Sequence, residues 1–209
     1  MTERRKPEIS SRKHPKQARA NDLVTAVLEA AVQVLRSEGA GRFTTARVAE
    51  RAGVSVGSIY QYFPNKAAIL FRLQTDEWQR TSLLLKGILD KTDASPASRL
   101  RALTHAFLQS ECDEAEVRTA LADAAPLYRD APESDDAREA GSSVILAFMH
   151  EALPNRSDAE ILLAAGLIET TMTQVGSRFS ERSRTDQEIH AFADAMADMF
   201  VAYLTSLRG

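Results

Sequence analysis

The sequence predicts an all-α fold of about nine helices in two domains, on three observations. Its 209 residues hold only nine Gly and seven Pro, too few for the closely spaced turns of an all-β sandwich. Apolar residues recur at steps of three and four, the period of one helix face. Hydroxyl or acidic residues followed three positions later by Glu recur at the starts of those stretches, as capping boxes do. The composition, 44% hydrophobic and 26% charged, is that of a globular chain. No apolar run reaches the roughly 18 residues that span a bilayer. The basic start, Arg4, Arg5 and Lys6, leads into polar sequence rather than a secretory segment, so the expected location is the cytoplasm with no membrane partner. One cysteine, Cys112, leaves no partner for a disulfide, and His14, His105, His150 and His190 lack metal-ligand spacing. No metal or cofactor is expected. The chain also lacks a nucleophile–base–acid set and a phosphate-cradling glycine loop, which points away from an enzyme.

Charge divides the chain. Residues 1–66 carry 12 Lys and Arg against 6 Asp and Glu, whereas the remainder carries 14 against 23. Seven of those cations lie in the first twenty residues, without apolar periodicity. That stretch, 1–20, reads as a flexible basic arm suited to a polyanion or simply to solvation. From Asn21, Leu23, Val24, Val27, Leu28, Ala31, Val34 and Leu35 form the inner face of a first helix that stops at Gly39 and Gly41. In FTTARVAERAG, Thr44 caps a short second helix with Val48, Ala49 and Ala52 inward, and Gly53 stops it in the left-handed conformation. Ser55 then caps a third helix over Val56 to Tyr62, with Ile59 inward. Two short helices joined by about four residues, with a small residue at the crossing, a glycine at the turn and an aliphatic lock, make a helix-turn-helix.

Over FTTARVAERAGVSVGSIYQYFPNKAAIL, residues 43–70, the chain resembles the tetracycline-repressor (TetR) family of bacterial regulators. The resemblance covers about the first 75 residues; beyond them only the all-helical layout is shared. It implies a homodimeric regulator that binds double-stranded DNA at a palindromic operator and is released by a small-molecule effector. The weighed alternative is an effector-independent architectural or cell-structure DNA-binding protein of the same fold. The domains expected are the arm, a DNA-binding domain over 21–66, and an effector-binding and dimerisation domain over 67–209.

A recognition helix enters the major groove with its N-terminal half toward the bases. Val56, Gly57, Ser58, Tyr60 and Gln61 are thus placed to touch DNA. Gln61 can pair bidentately with adenine and Val56 can pack on a thymine methyl. Gly57 costs about 1 kcal/mol relative to Ala within a helix, which suggests close approach of the duplex. Tyr60 and Tyr62 offer hydroxyls to phosphate, Tyr62 with the alternative of packing on the first helix. Thr44 or Thr45, Ser55 and Lys66 lie at helix starts, where free N–H groups and the dipole favour phosphate. Arg47 and the arm residues Arg12, Lys13, Lys16 and Arg19 are further candidates, the arm for the minor groove.

A long apolar-patterned helix with Ile69, Leu70, Leu73, Leu84 and Ile88 recurring is expected from about Asn65 to Lys91. Ser95 and Pro96 start the next. Capping boxes at Asp113-x-x-Glu116, Ser157-x-x-Glu160 and Thr185-x-x-Glu188 start three more, and one fits between Pro132 and Leu153. An effector pocket should lie among these helices, and Trp78, His105, Phe107, Cys112, Tyr128, Phe148, Met149 and Met172 have the side chains that line pockets, although such residues at helical spacing equally form a core. The last two helices carry regular apolar faces. In the resembling family these helices form a four-helix dimer interface, which assigns it here to Ile161, Ala165, Ile168 and Met172 with Phe192, Met196, Phe200 and Tyr203. The small Ala164, Ala165 and Gly166 would permit close approach.

Overall fold

The computed structural model describes residues 18–124 and 132–208. The basic arm through Lys16 and the candidate Tyr128 lie outside the described residues. Nine α-helices are present among the residues described: α1 (Ala18–Glu38), α2 (Thr45–Ala52), α3 (Val56–Tyr60), α4 (Lys66–Leu89), α5 (Pro96–Asp113), α6 (Ala115–Ala124), α7 (Pro132–Ala152), α8 (Asp158–Phe179) and α9 (Asp186–Arg208). A 3₁₀ turn, Ala40–Arg42, joins α1 to α2. No helix among the described residues is long and apolar enough to cross a membrane.

The chain separates into two compact units. The first comprises Met1–Glu77 with Glu116–Ser134, the second Trp78–Ala115 with Asp135–Gly209. The division therefore falls inside α4 rather than at residue 66. The reason is apolar burial: Ala68, Ile69 and Leu70 at the start of α4, and Ala120 of α6, complete the core built by Val27, Ala31, Val34 and Leu35 of α1, Val48 of α2 and Ile59 of α3. The inward faces of α1 and α2 match the three-and-four spacing of the sequence.

In the second unit α5 packs against α8 and α9. Leu100, Leu103 and Leu108 of α5 share one core with Met149 of α7, Ile168 and Met172 of α8, and Ala193 and Phe200 of α9. The Phe179 and Phe192 rings stack with centroids 4.2 Å apart. Ser95 caps α5, its oxygen accepting from the Ser98 N–H at 3.2 Å. The boxes at Ser157–Glu160 and Thr185–Glu188 are both made, side chain to backbone in each direction. The one at Asp113 is not: Asp113 ends α5, and its carboxylate accepts from Gln109 Nε2 at 3.1 Å. An acid three residues before Glu looks the same at a helix end as at a helix start.

Candidate nucleic-acid interface

Three local devices set the angle between α2 and α3. Thr44 Oγ1 accepts from the Arg47 N–H at 3.3 Å and starts α2. Gly53, at φ 67°, stops it in the left-handed region, with its N–H on the Glu50 carbonyl at 3.2 Å and the Val54 N–H on Ala49 at 3.0 Å. Ser55 Oγ then accepts from the Ser58 N–H at 3.0 Å and opens α3. Val48, Ala49 and Ile59 are buried where the helices cross. With the inner faces fixed, the outer ones are determined.

Gly57, Tyr60 and Gln61 are exposed, Tyr60 with 45% of its surface accessible. Val56, Ser58 and Tyr62 are half-buried. Tyr62 packs against the N-terminal core, whereas Tyr60 points outward. The Ser58 hydroxyl is 2.8 Å from that of Ser55, so both take part in the cap. The helix closes at Tyr60 instead of Tyr62, because the Gln61 and Tyr62 N–H groups turn back to Ser58 and Ile59. Gln61 thus follows α3 as its cap residue rather than lying within it.

Two expected contacts are placed differently. Thr45 is turned into the core with 8% of its surface exposed, leaving Thr44 as the outward hydroxyl at the start of α2. Arg47 forms an ion pair with Glu38 near the end of α1. That pairing joins two elements and leaves no mark in local sequence. Lys66 is exposed at the first position of α4, and Asn65 caps that helix, its Oδ1 accepting from the Ala68 N–H at 2.9 Å.

Among the described residues the expected effector residues are distributed between core and surface. Phe148, Met149 and Met172 are buried in its core; Trp78, His105, Phe107 and Cys112 are half-buried. His105 Nε2 lies 3.0 Å from Asp194 on α9. A cavity of about 400 Å³ is present as an open groove between the end of α4 and α7, and Phe148 is the one candidate among its walls.

Residues 27–73 match the model of the bacterial regulatory proteins of the tetR family, and residues 95–207 match the tetracyclin repressor-like C-terminal domain. The second match alone spans more than half of the chain. The chain belongs to the TetR family. It is a DNA-binding regulatory protein of that family. Among curated proteins it is similar to the nucleoid occlusion factor SlmA of Vibrio campbellii, 35% identical over 83 residues that span 39% of this chain and 42% of that protein. The matched part thus covers less than half of the relative's length. Among solved structures, the fatty acid degradation regulator FadR of Bacillus halodurans superposes with TM-score 0.68 at 17% identity, over 90% of this chain and 97% of that one. FadR of Bacillus subtilis in complex with stearoyl-CoA gives 0.61 at 17% identity, over 85% and 97%. At such identity these two establish the fold alone.

Within this TetR-family fold, the helix faces assigned from sequence to the dimer are internal. Ile161, Ala165, Ile168 and Met172 of α8 and Met196 and Phe200 of α9 are buried in their own unit, as is Ala164, and Phe192 and Tyr203 pack half-buried against the same core. The apolar side chains left outward are Leu162, Leu163 and Leu167 of α8, 55%, 69% and 50% exposed, and Met199 of α9. Gly166 is exposed beside the leucines. The missed signal is that residues 161–168 are apolar without interruption. A helix apolar all round has a second face to bury, beyond the one its own domain takes.

Proposed function

We propose that the chain is a homodimer that reads a specific duplex sequence, with α3 in the major groove and Lys66 and Thr44 on the backbone. What α3 and its cap residue turn outward carries this reading: the glycine and tyrosine hydroxyl of a helix whose buried side is fixed by Ile59, followed by the amide of Gln61. The second copy would lie on the Leu162, Leu163 and Leu167 face of α8, since three largely exposed leucines on one helix mark an association surface. Two copies must then present their α3 helices about 34–36 Å apart, one helical turn of DNA.

Of the two modes of action, the effector-independent one is better supported. Phe148, Met149 and Met172 are buried in the core among the described residues, and the similar Vibrio protein is a nucleoid occlusion factor. On this reading the second unit serves as a dimerisation body and docking surface. Release by a small molecule stands as the second reading, favoured by the complex of the similarly folded Bacillus subtilis regulator with stearoyl-CoA.

A fluorescence-anisotropy titration against duplex from upstream of the chain's own gene and a scrambled control, across a salt series, tests the proposal. Specific duplex should bind roughly 10³-fold more tightly, with two subunits per site. Equal binding of both duplexes, seen only at low salt, would contradict specific reading. Stearoyl-CoA added to the specific complex should leave it intact; its dissociation would transfer support to the effector-released repressor.

A further inference from the structure

Glu38 is the last residue of α1, at the end of a helix where the dipole disfavours an anion. It also sets a negative charge in the same unit as α2 and α3, where a polyanionic partner would be repelled. Its carboxylate is turned toward cations. One oxygen pairs with Arg47 Nη1 in the first turn of α2 and lies 4.0 Å from Arg42 Nε in the 3₁₀ turn between the helices. Among the described residues neither arginine pairs with another acid. One carboxylate thus faces two guanidinium groups.

That arrangement is a poor brace for the fold. Arg47 keeps 36% and Arg42 66% of its side-chain surface exposed, and ion pairs so open to water add little to stability. For the same reason they exchange easily. The Arg47 N–H donates to the Thr44 cap at 3.3 Å, so its side chain leaves the chain at the helix start that the proposed docking sets against the duplex backbone. A phosphate offers a guanidinium the same pair of oxygens as a carboxylate does. A backbone phosphate brought to the start of α2 therefore competes with Glu38 for Arg47.

We propose that Glu38 is a positioning residue that sharpens the choice of duplex. In the free protein and in loose complexes it keeps Arg47 on the end of α1. It yields Arg47 to a backbone phosphate once α3 is seated and the register on the duplex is fixed. A duplex without the right bases is held mainly by sequence-independent attraction, and its phosphates are not fixed at the start of α2. Arg47 then adds a contact to the specific complex and is withheld from the others, so an internal competitor works as discrimination against wrong partners. This inference rests on the proposed placement of α3 and the start of α4 at the duplex.

The test is a set of salt titrations of the full chain on the specific and the scrambled duplex, with Glu38→Gln, Arg47→Gln and the double variant beside the parent. Glu38→Gln keeps the shape of the side chain and removes its charge. It should tighten binding to the scrambled duplex roughly fivefold or more per subunit at 0.1 M salt and raise that salt slope by about one per subunit. The slope on the specific duplex, where Arg47 is already on phosphate, should not change, so the specificity ratio narrows. Tm and helicity should match the parent. With Arg47→Gln in place, Glu38→Gln should no longer alter the slope on the scrambled duplex. An unchanged affinity and slope on the scrambled duplex, a gain that persists in full without Arg47, or a fall in Tm with binding unaltered would overturn the proposal. Lys66→Ala separates this failure from that of the docking itself. If it lowers the slope while Glu38→Gln changes nothing, the docking stands and the role of Glu38 falls; if neither moves the slope, both fall together.

Discussion

Two helical glycines, one in each unit, show how differently the two halves use their surfaces. Gly176 of α8 is buried, and a Cβ there would lie 2.9 Å from Phe107 Cε1, 3.3 Å from Glu111 Cγ and 3.4 Å from Leu108 Cδ2. Its reason is inside the chain, where α8 crosses α5. Gly57 of α3 is exposed, and a Cβ there would meet only Ser55 Oγ, at an ordinary 3.7 Å. Each costs its helix about 1 kcal/mol relative to Ala. For Gly57 nothing within the described chain stands in a Cβ's way; on the proposed docking it is the duplex that would. The C-terminal unit spends a small residue on its own packing and leaves leucines outward.

Substitution of those leucines should have the largest effect. Leu163→Glu combined with Leu167→Glu should raise the dimer dissociation constant at least 100-fold, since burying each leucine is worth about 1.5–3 kcal/mol, with helicity unchanged. Sedimentation equilibrium beside circular dichroism checks this, and a double variant that remains dimeric would remove the second copy from the α8 face. Gly176→Ala should destabilise the protein by about 1–3 kcal/mol in urea unfolding, as overpacking does, because Phe107 must move and Glu111 must give way. Gly57→Ala should do the opposite to the fold and harm binding: a gain of up to about 1 kcal/mol in stability with a loss of about tenfold in affinity for the specific duplex. Both quantities moving together, or neither moving, would mean that Gly57 is only a tolerated helix start.

How much was legible in the sequence differs between the units for the same reason. Thr44, Gly53, Ser55 and Ile59 act over a few residues, so cap, turn and lock could be read in order, and the structure places each where the spacing put it. What failed there was non-local: Thr45 turned inward and Arg47 held by Glu38 from another helix. In α8 the stripe through Ile161, Ala165, Ile168 and Met172 was read correctly as one face. Periodicity finds a face, however, and does not say what it faces. The stripe turned out to be the domain's own core, and the outward leucines sit one residue away from it. The buried Arg99 of α5 was illegible altogether, because its burial depends on Glu151 and Leu89, brought together by tertiary packing.

The smallest expected effect is electrostatic and confined to the C-terminal unit. The Ser157 N–H donates to Glu160 at 2.9 Å and the Thr185 N–H to Glu188 at 2.8 Å. These backbone bonds, reinforced by the cap hydroxyls, hold both carboxyls below the usual 4.5. A carboxyl held low binds fewer protons folded than unfolded, so its contribution is complete above pH 4.5 and lost as the pH falls through the lower folded value. Glu160→Gln with Glu188→Gln should therefore lower Tm slightly near neutral pH and flatten its decline on the acid side. Superimposable Tm profiles for parent and variant would mean that the boxes add nothing.

On the proposed docking, α3 reads sequence while the start of α4 holds the backbone. Selection of bound fragments from a random duplex pool, repeated with Gln61→Ala and Lys66→Ala and followed by salt titrations of the winners, tests it most directly. Gln61→Ala should change which bases are preferred at one position of each half-site. Lys66→Ala should keep the preference and lower the salt slope by about one per subunit. An unchanged preference with Gln61→Ala, together with an unchanged slope with Lys66→Ala, would contradict the placement of both residues at the duplex.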